Sequence, residues 1–265
     1  RLLDLLGPQG CVTDDDLIAP WLTDWRGRYS GTSIALLAPA TTDEVAAIVR
    51  LAAEARVALV PQGGNTGTVA GALVDRGELD PEAPVTRYVP ELRLSAYGDA
   101  TVRHVLDMTV SLRFIEDYLD PKGDVARYRV AMDWDPPAAF PHEGGLHHFL
   151  GTLRKDQILH GERFEYASPN SDLLGWILER AGGASVAELL TRHLWGPLGA
   201  QSDGYITVDR HGAARTAGGI CVTLRDLARF GDMVRMNGRV GDRQVIPQAW
   251  IDDISTRGSE EAWRK

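Results

Sequence analysis

The sequence predicts an α/β chain of α+β character, helix-rich through its middle, with a small β-α-β unit at its N-terminus. Three observations carry that reading. Residues 33–67 run as a short apolar stretch, a capped segment of 3.6-residue periodicity and a second apolar stretch. From residue 68 onward, apolar residues recur at helical spacing in several separate segments. Pro- and Gly-rich connections divide those segments, and no internal repeat or low-complexity stretch occurs.

In the first unit, residues 33–39 (SIALLAP) read as a buried strand. Thr41 with Glu44 three residues on forms a capping box, because each can satisfy the other's free backbone N–H. Val45, Ile48, Val49, Ala52 and Ala53 then keep the spacing of one helix face. Residues 57–61 (VALVP) supply the second strand, and QGGNTG is the loop after it.

Beyond it, Val69, Ala72, Leu73 and Arg76 line one side of a helix that stops at Gly77. A Pro-rich connection (LDPEAPVTRYVPEL) leads to a helix marked by Val102, Val105, Leu106 and Thr109. Residues 114–161 lack periodicity and read as loops around short elements. Ser168 reads as an N-cap, with Pro169 at the first helical position. Ser185 with Glu188 is a second capping box. Residues 223–236 form a last helix, with Leu224, Leu227, Ala228 and Gly231 on one face.

Composition excludes several classes of function. At 44% hydrophobic and 25% charged residues the chain is globular rather than disordered. A net charge of −9 argues against nucleic-acid or anionic-membrane partners, which require clustered Lys and Arg. No apolar run reaches membrane-spanning length. Two cysteines, Cys11 and Cys221, provide neither a disulfide framework nor a zinc site, so a reducing, cytoplasmic setting is expected. The first residues (RLLDLLGPQG) carry no signal-peptide core and no initiator Met, and the last (STRGSEEAWRK) show no closing element; both ends read as cut. In HEGGLHH, His142 and His147 are five apart with two glycines between them, so the i, i+4 geometry of a helical zinc site fails and no metal is expected. The acidic runs at Asp14–Asp16 and at Asp133 and Asp135 read as solvated loop charges.

The DWRGRYSG and PQGGNTG stretches, with the β-α-β pattern between them, resemble the start of FAD-linked oxidases of the D-lactate and D-2-hydroxyglutarate dehydrogenase type. Small residues after a strand let backbone N–H groups face an anion. The resemblance implies that Gln62, Gly63, Gly64, Asn65, Thr66 and Gly67 would hold the FAD pyrophosphate. It covers only about the first quarter of the chain, and one anion loop is a small part of a dinucleotide cleft. No cofactor is therefore expected, and FAD only if this segment functions.

From about Gly67 the chain resembles serine hydrolases of the β-lactamase and penicillin-recognising fold, in the branch of 6-aminohexanoate-dimer hydrolase and related esterases. TGTVAGALVDRGELDPEAPVTRYVPEL, YGDATVRHVLDMTV, FEYASPNSDLLGWILERAGG, LWGPLGAQSDGYITVD and GGICVTLRDLARFGDMV carry this in family order. The resemblance implies a Ser-x-x-Lys nucleophile and base, and a tyrosine that passes the proton to the leaving group. A serine hydroxyl attacks poorly until a base takes its proton. A phenol, with a pKa of about 10, needs a neighbouring cation to serve as that base. Tyr166, Ser168 and Asn170 match the tyrosine motif. The first motif is absent: aligning the family glycine on Gly67 puts Val60 at the nucleophile and Gly63 at the lysine. The later Lys-Thr-Gly-like strand lies beyond Lys265.

The expectation is a chain joined from two genes where both read TG. Residues 1–67 would be a partial FAD-binding segment of the PCMH type, and residues 68–265 a partial β-lactamase-family domain acting on a small ester or amide. Its catalysis would be lost with its nucleophile, and helix faces left without their sheet would favour self-association. The alternatives are a fragment of a flavin-dependent D-2-hydroxy acid dehydrogenase and a non-functional chimeric chain.

Overall fold

A computed structural model describes residues 1–14, 18, 33–37, 41–55, 67–136, 140 and 144–264. The chain divides into two compact units, Arg1–Gln62 and Gly63–Lys265.

The first unit opens with α1 (Leu2–Gly10), which breaks at Gly7 with φ of +67°. Pro8 disfavours helical backbone in the residue before it, and glycine alone takes the resulting conformation without cost. Next, β1 (Cys11–Val12) pairs antiparallel with β2 (Leu36–Leu37), Cys11 facing Leu37. The apolar run at 33–39 thus gives a two-residue strand, and its partner is one that sequence periodicity did not announce. The expected second strand, residues 57–61, lies outside the described residues. After β2 comes α2 (Thr42–Ala55), opened by the predicted box: the Glu44 N–H donates to Thr41 Oγ1 at 3.2 Å and the Thr41 N–H to Glu44 Oε2 at 3.2 Å. Of its apolar stripe Ile48 is buried, while Val45 and Val49 are about half exposed.

The second unit is a helical assembly. Its first helix, α3 (Gly67–Asp75), ends as predicted at Gly77, φ +70°. The Glu78 N–H reaches back to the Leu73 carbonyl and the Gly77 N–H to that of Val74, the paired closure of a Schellman motif. Val69, Ala72 and Leu73 are buried, and Arg76 is exposed. A short α4 (Val102–Leu106) follows the Pro-rich connection. The stretch at 114–161, read as loops, contains α5 (Asp124–Ala131) and α6 (Leu146–Thr152). At eight and seven residues they are too short to show a periodicity above the surrounding Pro, Gly and Asp.

The central element is α7 (Ser168–Gly182), buried at nearly every position from Ser168 to Leu178 and closed by Gly183 in the left-handed region. Leu173, Ile177 and Leu178 join Leu73, Leu92, Leu146 and Leu150 in the core. There Phe114, Tyr128 and Phe149 pack edge-on and stacked at ring separations of 5.1–6.3 Å. The Ser185 box caps α8 (Val186–Leu190), which runs on through a π-turn to Leu198.

Two small antiparallel pairs follow in this unit, β3 (Tyr205–Ile206) with β4 (Ile220–Cys221) and β5 (Arg239–Val240) with β6 (Arg243–Gln244). Between them lies α9 (Leu224–Arg235). Its inward face is Phe230, Met233 and Val234 with Leu227, not the predicted Leu224–Ala228–Gly231 line, which faces outward. Phe230, Met233 and Val234 together offer more apolar area than Leu224 with an alanine and a glycine, and area decides which face turns in. The chain finishes with α10 (Gln248–Thr256) and α11 (Glu260–Arg264). Trp250 of α10 lies directly on the bare Cα of Gly71 in α3.

Candidate active site

Tyr166 stands just ahead of α7, 51% exposed, and among the described residues its hydroxyl has no hydrogen-bond partner. Ser168, two residues on, is only 4% exposed. It is not the N-cap: Ala167 holds that position and offers no side-chain acceptor, so Ser168 is the first helical residue and Pro169 the second. The missing acceptor comes from Glu116. Its Oε2 accepts the Ser168 N–H at 3.1 Å, and its Oε1 accepts the Ser168 hydroxyl at 2.6 Å. A carboxylate here also suits the positive end of the helix dipole. Tyr118 donates its hydroxyl to Glu116 Oε1 at 2.5 Å. Burial, and then this bond to a carboxylate, push the Tyr118 hydroxyl up to about 12, so it stays a neutral donor. Tyr118 also feels the hydroxyls of Ser168 and Tyr166, which places the four groups together. Beyond Tyr118 opens a depression of about 310 Å³ lined by Leu119, Pro121, Ala126, Val130, Pro136 and Phe140 together with the charged side chains of Asp120, Arg129 and Asp135.

Asn170 turns inward and is 1% exposed. Its Oδ1 accepts the Tyr97 hydroxyl at 3.1 Å, and its Nδ2 donates to the Met108 sulfur at 3.5 Å. Burial holds the Tyr97 hydroxyl far above the ordinary phenol range, and the nearby Asp172 charge adds to it. Two residues on, Asp172 accepts Arg215 Nη1 at 2.6 Å, the Ala217 N–H at 2.8 Å and the Tyr128 hydroxyl. The Arg215 guanidinium lies between the rings of Tyr128 and Trp134, 4.8 and 5.2 Å from their centroids. This buried ion pair ties α7 to the segment that carries Arg215.

Ser168 and Asn170 are thus enclosed, and of the three motif residues Tyr166 is the one open to solvent. Gln62, Gly63, Gly64, Asn65 and Thr66 lie outside the described residues, as does Val60; Gly67 is the first residue of α3. His142 also lies outside them. His147 stacks flat on Trp176, ring centroids 3.8 Å apart, and no cluster of metal-ligating side chains occurs among the described residues. Asp133 and Asp135 are not merely solvated: they pair with Arg210 and with Arg129, the latter at 2.6 Å. Sequence reasoning missed Glu116, Tyr118, Tyr97, Met108 and Arg215. Glu116 lies 52 residues from Ser168, and Arg215 lies 43 from Asp172. No local pattern spans such distances.

Comparison with known proteins separates two segments. The chain is 43% identical over 202 residues to the 6-aminohexanoate-dimer hydrolase of Paenarthrobacter ureafaciens, covering 74% of this chain and 49% of that protein. A Bacillus anthracis structure assigned as a 6-aminohexanoate-dimer hydrolase superposes with a TM-score of 0.65 at 25% identity, over 72% of this chain and 50% of its own. The chain thus spans about half the length of these relatives. A separate short segment of 69 residues is 45% identical to a probable mitochondrial D-2-hydroxyglutarate dehydrogenase of Oryza sativa subsp. indica, covering 26% of this chain but 12% of that protein. The helix-rich second unit has the β-lactamase/transpeptidase-like fold. The Beta-lactamase family profile matches residues 65–261, and the chain belongs to that family of hydrolases.

Proposed function

We propose that the second unit is the acid–base and substrate-binding part of a serine hydrolase for small linear amides or esters, and that this chain binds such molecules without turning them over. The observation that carries the first half is the exposed Tyr166 in the neighbourhood of the hydrogen-bonded Tyr118, Glu116 and Ser168, with Tyr118 also lining a depression of mixed apolar and charged character. In this reading Tyr166 moves the proton, Ser168 and Asn170 hold its segment, and Tyr118 is a neutral donor toward the substrate. Support for the second half comes from the sequence: aligning the family glycine on Gly67 puts Val60 and Gly63 at the Ser-x-x-Lys positions. Loss of a nucleophile that acts as a unit with its base costs on the order of a million-fold in rate.

The test is labelling of the intact chain with a serine-reactive fluorophosphonate, beside hydrolysis of a fluorogenic ester. No stoichiometric label and background turnover are expected. One labelled serine, with turnover abolished by Tyr166→Phe, would overturn the proposal.

We also propose that the first unit holds no flavin. Its dehydrogenase relative is matched over about an eighth of its length. The free thiols of Cys11 and Cys221 support a cytoplasmic setting. Among the described residues no helix is long and apolar enough to cross a membrane.

A further inference from the structure

Behind the candidate site, the rings of His104 and His160 stack with centroids 5.4 Å apart and planes at 27°. Each ring is locked by a backbone donor. His104 Nδ1 accepts the Thr101 N–H at 3.1 Å, while Thr101 Oγ1 accepts the His104 N–H at 3.3 Å. This is the capping box of α4, with histidine where glutamate or glutamine is usual. His160 Nδ1 accepts the Ser111 N–H at 2.9 Å, and its Nε2 meets Asp99 Oδ1 at 2.9 Å. A nitrogen that accepts a hydrogen bond cannot carry a proton. These partners therefore assign both rings as neutral, with hydrogen on Nε2.

The pair is tied to the site through a short run of backbone. The Thr109 N–H donates to the His104 carbonyl at 2.9 Å, and the Gly161 N–H to the Thr109 carbonyl at 2.9 Å. Met108, between them, accepts the Glu165 N–H on its carbonyl at 2.9 Å and the Asn170 amide on its sulfur. Glu165 immediately precedes Tyr166. Met108 sits at φ +54°, a region a methionine occupies only when its surroundings hold it there.

We propose that the His104–His160 pair is an acid-sensitive pin, closed only while both rings are neutral, that keeps the backbone leading into Tyr166 in register. A proton on His104 Nδ1 would face the Thr101 N–H and abolish the box. A proton on His160 Nδ1 would do the same to Ser111. With α4 uncapped, Met108 is free to leave its strained conformation, and Glu165 and Asn170 lose their partners together.

The charges facing the pair are Asp99, which also binds Lys155 at 2.5 Å, Lys155 itself and Glu82. For His104, burial is the largest influence and favours the neutral ring; His160 and Lys155 add to it, and Glu82 and Asp99 oppose it. The balance holds His104 below the ordinary histidine range. The unfolded chain then takes up its proton first as pH falls. The pin's stabilisation is complete above about pH 6.5 and declines between there and the lower folded value.

Because the pin is read at backbone amides, its test does not depend on turnover at Tyr166. Nitrogen-15 imidazole spectra of the full chain should show both rings with hydrogen on Nε2 at pH 7.5. The exchange protection of the Thr101 and Glu165 amides should fall together, by about tenfold, as His104 protonates below that pH. His104→Gln combined with His160→Gln removes both titrating rings and keeps a non-titrating acceptor in the α4 box, so Glu165 protection should then stay level over the same range. Hydrogen on Nδ1 of His104, pH-independent protection of Glu165 in the unaltered chain, or an unchanged pH dependence in this double variant would each overturn the proposal.

Discussion

Asp172 does more to order the site than the residues that would meet a substrate. Its carboxylate is wholly enclosed, and every donor around it is buried or half-buried. A buried ion pair is a weak source of net stability, but removing one partner leaves the other charged and unpaired. Asp172→Asn should therefore cost about 3–5 kcal/mol, through the stranded Arg215. Tyr128→Phe removes one donor and leaves both charges paired, so about 1–3 kcal/mol is expected. Urea denaturation of the two variants checks the ordering, and an equal or reversed cost would show that Arg215 finds another partner. At this scale the sequence was legible where chemistry is local. The Tyr-Ala-Ser-Pro-Asn stretch marked Tyr166, Ser168 and Asn170, but could not say that only the first faces solvent. That depends on Glu116 and Arg215, brought in from distant segments by the fold.

Helix ends were the most readable elements, because a cap is decided within three residues. Thr41 with Glu44 and Ser185 with Glu188 both form the expected boxes. Ser168 misled for the converse reason: the acceptor its helix needs comes from outside the local sequence, so Ser168 moves one step inward. The orientation of α9 was misread because spacing alone does not weigh side-chain size. Helix contact also explains why α3 keeps a glycine in its interior, where glycine is costly. A methyl group at Gly71 would overlap the Trp250 indole. Gly71→Ala should destabilise the second unit by about 1–3 kcal/mol despite its better helix propensity. Thermal melting of this variant beside Gly71→Ala with Trp250→Leu separates the two effects. Failure of the smaller partner to recover part of the loss would mean that the clash is not its cause.

For the whole molecule, two very unequal units share one chain. Among the described residues the first unit buries only Cys11, Ile18 and Ile48 as apolar side chains, whereas the second has a continuous core. The second also exposes Leu94, Ile115, Leu119, Leu159, Ile254 and Trp263, each more than half open to solvent. Apolar side chains so open favour self-association, and the net charge of −9 opposes it. Salt screens the repulsion and leaves the apolar term intact. Light scattering coupled to size exclusion should therefore give a mass above 28.9 kDa that grows between low and moderate salt. A single species of 28.9 kDa at every ionic strength would count against it.

The stack of His147 on Trp176 gives the molecule a built-in optical gauge. An imidazolium ion accepts an electron from an excited indole and darkens it, whereas neutral imidazole does so weakly. Burial keeps His147 neutral to a lower pH than a free histidine. Of the seven tryptophans in the chain, Trp176 is thus wired to stay bright in mild acid and to dim only when its covering ring takes up a proton. The colour and lifetime of that one indole register, from inside the core, whether α7 still lies against α6.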